Sequence, residues 1–410
     1  MNPSAAKVYI RLKSGMSMLH WMCFAVSSLY YIQIVHMTPL QLVLVGTTLE
    51  LSVFILELPT GLVADVFGRR ISILIGLVLN GLGFLLQGLW PTFIGVLLAQ
   101  VLWGGGFTFT SGASEAWITD ETDEDTAAGL FLQAEQRSLL GAVVGIGIGM
   151  SIGLYRYDLA ILLSGIGLFV LAAYLFKAMQ ETGYQPHGTL HGNPYTHLIQ
   201  TFRDGIQITR HNHNLLWIFA VGFIFGFYSE GVDRMWEAKM VADFTFPFFK
   251  PVIWLGMVQI TAMLLGSLSL GLSQKIKSVT NLVNSLYIQI GLTIGIIAGL
   301  LVFAVSGNFY LAILMITLVQ VLREVHYPFY TGWVNRKLDA SVRATVLSMS
   351  SLVDAFGQIG GGPLVGGIAN RMGVSFGLGL SAVFLTPVLP VYWALLRRVN
   401  GKRSLPEQES

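Results

Sequence analysis

The chain has 410 residues, of which 54% are apolar and only 11% charged, and its net charge is +2 at pH 7. Soluble globular proteins carry about 25% charged residues, so this much apolar surface has to face lipid. The near-neutral charge excludes a nucleic-acid-binding protein. The single cysteine, Cys23, lies in an apolar run, excludes an internal disulfide and reads as a small buried hydrophobe.

The first 15 residues are short and basic, with Lys7, Arg11 and Lys13. The apolar stretch that follows is longer than the core of a signal peptide, so it is expected to be kept as the first span. Apolar segments near the roughly 20 residues of a spanning helix then recur along the chain. The predicted spans are 16–36, 40–64, 71–90, 92–114, 128–154, 157–177, 214–235, 251–272, 284–306, 309–333, 344–369 and 374–396. Lipid offers no hydrogen bonds to the backbone, so all twelve are expected to be helices. Of the 24 Lys and Arg residues, eighteen fall on the side of the termini, five on the other, and Arg323 lies within a span. The positive-inside rule then puts both termini in the cytoplasm.

Residues 178–213 are polar and hold five of the eight histidines. They divide the chain into a six-helix half at 1–177 and a second at 214–410. Asn193-Pro194 is placed to start a surface helix, with Tyr195, Leu198, Ile199, Phe202 and Ile206 on one face. His187 and His191, four apart, are a weak candidate for a metal site.

The halves repeat. Gln100–Gly112 and Gln320–Gly332 align without gaps, with identical Gln, Val, Leu, Phe and Gly. In the next span Ser138, Leu139, Ala142, Ile146, Gly147, Gly149 and Gly153 match Ser351, Leu352, Ala355, Ile359, Gly360, Gly362 and Gly366. Two related bundles rocking about a midplane site are one physical solution to transport.

The loop after the second span reads Gly61-Leu-Val-Ala-Asp65-Val-Phe-Gly68-Arg69-Arg70, preceded by Glu57-Leu-Pro-Thr. It resembles the signature loop of the major facilitator superfamily, in the position where that family carries it, and the lead-in resembles bacterial drug-efflux-type members. The resemblance implies twelve helices in two pseudo-symmetric six-helix bundles and alternating-access transport. It also implies a conformational latch, in which Asp65 meets the start of the eleventh helix. Physically, Gly61 allows close helix contact and Gly68 a turn with positive φ, while Arg69 and Arg70 pair with carboxylates such as Glu115 and Asp120. The counterpart loop in the second half, Gly271-Leu-Ser-Gln-Lys275-Ile-Lys277, has lysine in place of the aspartate. Drug antiporters of the family often carry Gly-Pro-x-x-Gly in the fifth span and an arginine in the fourth. Here the fifth span has Gly149-Met-x-x-Gly153 and the fourth has Gln100, while Gly362-Pro363-Leu-Val-Gly366 stands in the eleventh.

Charge within a span is costly and usually faces a cavity or a partner. Glu50 and Glu57 share a face of the second span, and Glu230 and Arg234 are spaced to pair in the seventh. Glu324 lies beside Arg323, and Asp354 is about 10 residues, or roughly 15 Å, into the eleventh span. Carboxylates in the spans are candidates for proton coupling: Glu50, Glu57, Glu230, Glu324 and Asp354. Asp233, Arg234 and Glu237 read as wet outer-end charges. Gln320, Arg323, Tyr327 and Tyr330 on the tenth span, and Gln100, Gly104, Phe107, Ser111 and Glu115 on the fourth, form faces that the resemblance makes substrate walls. The acidic run Asp120–Asp125 is expected to be a solvated loop. Neither a phosphate-binding loop nor a nucleophile elbow occurs. The expectation is therefore a monomeric secondary transporter of the bacterial inner membrane, without cofactor or metal. It would export amphipathic or cationic small molecules in exchange for protons. Import or exchange of a polar metabolite, with Arg323 binding a carboxylate, is the alternative.

Overall fold

The computed structural model describes residues 3–184, 213–273, 282–335 and 340–403. The surface helix expected at 193–206, His187, His191, Lys275 and Lys277 lie outside the described residues. Contacts divide the chain into two compact units, Met1–Gln200 with Pro247–Gly256, and Thr201–Phe246 with Met257–Ser410.

Unit 1 contains α1 (Pro3–Gln33), α2 (Pro39–Phe67), α3 (Arg69–Leu89), α4 (Phe93–Thr110), α5 (Ala113–Glu121), α6 (Glu124–Gly153) and α7 (Tyr157–Ala178). Local chemistry sets the boundaries. Thr38 and Gln41 form a capping box at α2, with Pro39 at its first position. Thr92 caps α4 by accepting from the Gly95 N–H at 3.1 Å. The span expected at 92–114 instead breaks at Ser111–Gly112, where Gly112 takes φ +71°, and a new helix, α5, continues to Glu121. The acidic run is accordingly not a loop. Asp120 and Glu121 close α5, and Asp123 caps α6, accepting from the Thr126 N–H at 2.9 Å and its hydroxyl at 2.8 Å.

The remaining helices are α8 (His213–Asp243), α9 (Pro251–Ser273), α10 (Leu282–Val305), α11 (Phe309–Asn335), α12 (Ala340–Met372), α13 (Val374–Leu385) and α14 (Val388–Arg403). α8 runs eight residues past the expected end of its span, so Lys239 is a helical residue and not part of a turn. The span expected at 374–396 divides at Thr386–Pro387, because proline has no N–H to continue the helix.

Packing repeats between the units. α1 lies along α6 as α8 lies along α12, α3 packs on α4 and α7 as α10 packs on α11 and α13, and α1 meets α7 as α8 meets α13. Glycines make the closest seams. A Cβ on Gly141, Gly145 or Gly149 of α6 would strike the carbonyls of Ser14, Met18 and Met22 on α1. Gly357 and Gly361 of α12 lie in the same way on the backbone of α8 at Phe223 and Phe227. Four-residue spacing of small side chains lets backbones approach closely where no water drives association.

Ten stretches among the described residues are long and apolar enough to cross a bilayer. The other two expected spans fall in α1 and α12, which at 31 and 33 residues are long but carry more polar side chains. They are also the partners of α6 and α8 in the glycine seams. The chain is a multi-pass α-helical membrane protein.

Candidate functional site

A polar cluster occupies one region of the second unit, where α8, α11 and α12 present charged side chains to one another. Arg323 of α11 holds Asp233 of α8 in a two-pronged ion pair, with nitrogen–oxygen distances of 2.5 and 2.8 Å. The same guanidinium donates to Gln320 Oε1 at 2.9 Å and lies over the ring of Tyr228. Parallel N–H donors suit a carboxylate's two oxygens, which makes such a pair directional as well as strong. Neither group is sealed off: the Arg323 side chain is 19% exposed and that of Asp233 40%.

Further carboxylates lie near the pair. Glu230, buried at 2% exposure, pairs with Arg234 at 2.9 Å, as its spacing predicts. Asp354 of α12 is half-buried, and its backbone carbonyl packs on Gly226 of α8. Its carboxylate accepts from the Gln358 amide at 2.8 Å and is within electrostatic reach of Asp233, Arg323 and Glu230. Among the described residues no cation stands within ion-pair distance of Asp354.

The residues of the tenth-span face divide among different surroundings. Gln320 and Arg323 belong to the cluster. Tyr330 turns instead to α8 and α12, donating to the Ile218 carbonyl at 3.0 Å and sharing a hydrogen bond with Ser350 at 2.9 Å. Tyr327 is 70% exposed. Glu324 lies away from its neighbour Arg323, exposed, with its Cβ against Gly266 of α9. On the fourth span the predicted face does not run through. Gln100 is buried in unit 1 at the end of a hydrogen-bonded chain, donating to Tyr31 at 3.4 Å, while Tyr31 donates to Gln87 at 3.0 Å. Gly104 packs on Ser52, Phe107 is exposed beside Trp103, and Gly112 ends the face. Glu50 is half-buried on α2 while Glu57 is exposed, so the two do not share one environment.

At the other end of unit 1, Gly68 adopts φ +104°, as the turn requires. Asp65 accepts from Arg69 at 2.6 Å, and Arg69 also faces Asp120 at 3.5 Å. Arg70 donates to the Phe176 carbonyl at 2.5 Å. Glu115 pairs with Lys13 of α1 at 2.7 Å and not with an arginine. Gly61 meets nothing within 4 Å among the described residues, so it is not a close-contact position within this unit.

The exposed amides at the start of α3 are taken by a residue that the sequence does not single out. Glu181 accepts the N–H groups of Arg69 at 2.6 Å and Arg70 at 3.1 Å, as a carboxylate at a helix N-terminus should. It belongs to a short segment after α7 strapped across the loop. Trp117 donates to the Gln180 carbonyl, Glu121 accepts the Gly183 N–H, and Tyr184 donates to the Asp65 carbonyl. A Cβ on Gly68 would sit 2.6 Å from a Glu181 oxygen. The glycine is needed both for its φ and for the room it leaves.

Two further residues escape sequence reasoning. Asp233 looks like an outer-end charge, since its partner lies 90 positions away in the chain. Lys239 looks like a turn lysine, yet is 1% exposed and pairs with Asp243 one turn on in the extended α8.

The sequence profile of the Major Facilitator Superfamily matches residues 14–362. An uncharacterized MFS-type transporter, YxaM, of Bacillus subtilis (strain 168) is 24% identical over 360 residues, 86% of each chain. Among solved structures, a mutant form of the nucleoside transporter NupG superposes with a TM-score of 0.79 at 11% identity, covering 95% of this chain and 99% of that one. A bacterial homologue of the human lysosomal transporter Spinster gives 0.75 at 14% identity, over 97% and 98%. The peptide transporter POT gives 0.75 at 12%, over 97% and 94%. At these identities the structural likeness speaks for the fold.

Proposed function

The chain belongs to the major facilitator superfamily, and we propose that it is a secondary active transporter that exports amphipathic or cationic small molecules in exchange for protons. The reading has it work by alternating access in the bacterial inner membrane. It has twelve spans in two six-helix bundles, both termini in the cytoplasm, a linker at 178–213, and a monomer as the working unit.

One observation carries the coupling. Asp354 sits half-buried among helices with an amide for a partner and no described cation in ion-pair range. A carboxylate in that position exchanges its charge for a proton more readily than one clamped by arginine. Asp233 supplies the other half of the device. It holds Arg323 when ionised, and a cationic substrate competes with Arg323 for it. The aromatic group in unit 1, with Phe24 and Trp103 at 5.3 Å and His20 stacked on Phe24 at 5.8 Å, supports an amphipathic substrate. Asp65, Arg69 and Asp120 already form one network. In this reading that network, with Gly61, Gly68, Arg70 and Glu115, meets the start of α12 as the latch of one state.

A second reading, import or exchange of a polar metabolite or organic anion, draws on Arg323 and on the nucleosides and peptides named for the structural neighbours. It is the weaker one, because both arms of Arg323 are already engaged by Asp233. The test is transport in proteoliposomes with the membrane potential clamped. Vesicles with an acidic lumen should accumulate tetraphenylphosphonium above equilibrium, and Asp354→Asn should abolish accumulation. Flux indifferent to the pH gradient, and unchanged in Asp354→Asn and Glu50→Gln, would remove the coupling.

A further inference from the structure

The second unit contains a cavity that the proposed transport does not use. It lies among α8, α10, α12 and α13, at the end carrying the α10–α11 and α12–α13 turns, and measures about 670 Å³. That is within the range of pockets that hold small molecules. At its polar end stands Lys239, 1% exposed. Its ammonium donates to Asp243 Oδ2 at 2.6 Å and to Ser375 Oγ at 2.8 Å. The rings of Phe244 and Phe303 lie 5.6 and 5.8 Å away. An ammonium has three N–H donors, and among the described residues only two find an acceptor. Asp243 is in the converse position. Its Oδ2 takes both Lys239 and Ser375, its Oδ1 has no donor among the described residues, and its side chain is 42% exposed. The pair therefore offers a buried donor and a half-open acceptor to the same cavity.

The walls are apolar and so is the mouth. Val305, Met372, Phe376 and Val383 line the cavity and are 84, 60, 47 and 51% exposed. On a membrane-spanning unit, exposed side chains of this kind suit acyl chains, which leaves the cavity open to an occupant from the lipid. The polar end is neutral overall. A purely anionic headgroup would meet Asp243, and a purely cationic one Lys239, with unfavourable charge. A headgroup with both charges satisfies both residues. We propose that this cavity binds a zwitterionic phospholipid bearing a primary ammonium. Its phosphate would accept from Lys239, its ammonium would donate to Asp243, and an acyl chain would lie along the apolar wall.

Gly379 makes the idea testable. A Cβ there would have only the Ala304 Cβ near it, at 3.9 Å, so the position has room for a side chain at the wall of the cavity that Gly379 lines. The full chain in detergent would be titrated with phosphatidylethanolamine, phosphatidylcholine and phosphatidylglycerol, following thermal unfolding and lipid adducts in native mass spectrometry. The ethanolamine lipid should raise Tm by several degrees and by at least twice the shift of the other two. Gly379→Phe should lose this shift while keeping its Tm in detergent alone, with Gly379→Val as the milder filling if the first fails to fold. Asp243→Asn should erase the preference for ethanolamine over glycerol headgroups. Equal shifts from all three lipids would mean a nonspecific lipid shell and overturn the inference, as would a full ethanolamine response in both Gly379 variants. Neither readout depends on transport.

Discussion

Arg323 and Asp233, ninety residues apart, grip each other through two parallel hydrogen bonds across α11 and α8. Removing Asp233 leaves Arg323, the more buried partner, without its counter-charge. Asp233→Asn is expected to cost about 1.5–3 kcal/mol, the range for hydrogen bonds to charged groups, and to lower transport at least tenfold. Exchanging the charges, Asp233→Arg with Arg323→Asp, should recover part of the stability but less of the transport. Thermal unfolding and initial transport rates measured together would check this. Full activity in Asp233→Asn would show that the pair is only a brace.

The loop at Gly68 gives a prediction about coupling between substitutions. Glu181→Ala removes the acceptor from the first amides of α3 and should cost about 1 kcal/mol, as loss of a helix cap does. Gly68→Ala pays for a positive φ and also displaces Glu181, so its cost should be larger. Because the second change already breaks the first contact, the double variant should lose clearly less than the two single losses added together. Strict additivity in thermal unfolding would contradict the described contact.

Glycines of the same helix should differ in tolerance. Gly145 faces the Met18 carbonyl, whereas Gly147, two residues on, has nothing within 4 Å. Gly145→Val, and Gly361→Val in the other unit, should abolish folded protein in size-exclusion chromatography. Gly147→Val should elute normally.

Asp123 provides a pH test outside the spans. The Thr126 N–H and hydroxyl hold its carboxyl below the usual range. A depressed carboxylate contributes its cap above the unfolded-state value, about pH 3.9, and loses it as pH falls through the lower folded-state value. Amide protection relative to the intrinsic exchange rate over the first turn of α6 should be high at neutral pH and fall only in strong acid. Asp123→Asn should stay protected throughout, because asparagine caps as well, and Asp123→Ala should be unprotected at every pH.

Much of the fold was legible because lipid imposes it. Most apolar stretches near spanning length became single helices, and the two matched segments mark α4 with α11 and α6 with α12, which pack on α3 and α10 and on α1 and α8 respectively. Where reading failed, the cause was local or distant. Gly112 and Pro387 broke helices that hydropathy joined, and Asp123 ended a supposed loop by capping. At the site, Gly68 and the Glu230–Arg234 pair followed from spacing alone. Asp233 and Glu181 did not, since each is defined by partners from another helix or loop and no periodicity reports such partners; Lys239 stands four residues before Asp243 in α8, but its burial against Ser375 of α13 has no such signal. Gln100 suited a cavity wall by its position, and in the structure it lies buried in unit 1, donating to Tyr31.

The account turns on Asp354 as the group that exchanges a proton for substrate. Proteoliposomes containing pyranine, with an acidic lumen and the potential clamped by potassium and valinomycin, would receive external tetraphenylphosphonium. The wild-type lumen should turn alkaline as the cation enters. Asp354→Asn should still admit the cation down its own gradient while the lumen pH stays constant. Equal alkalinisation in the two proteins would contradict the account.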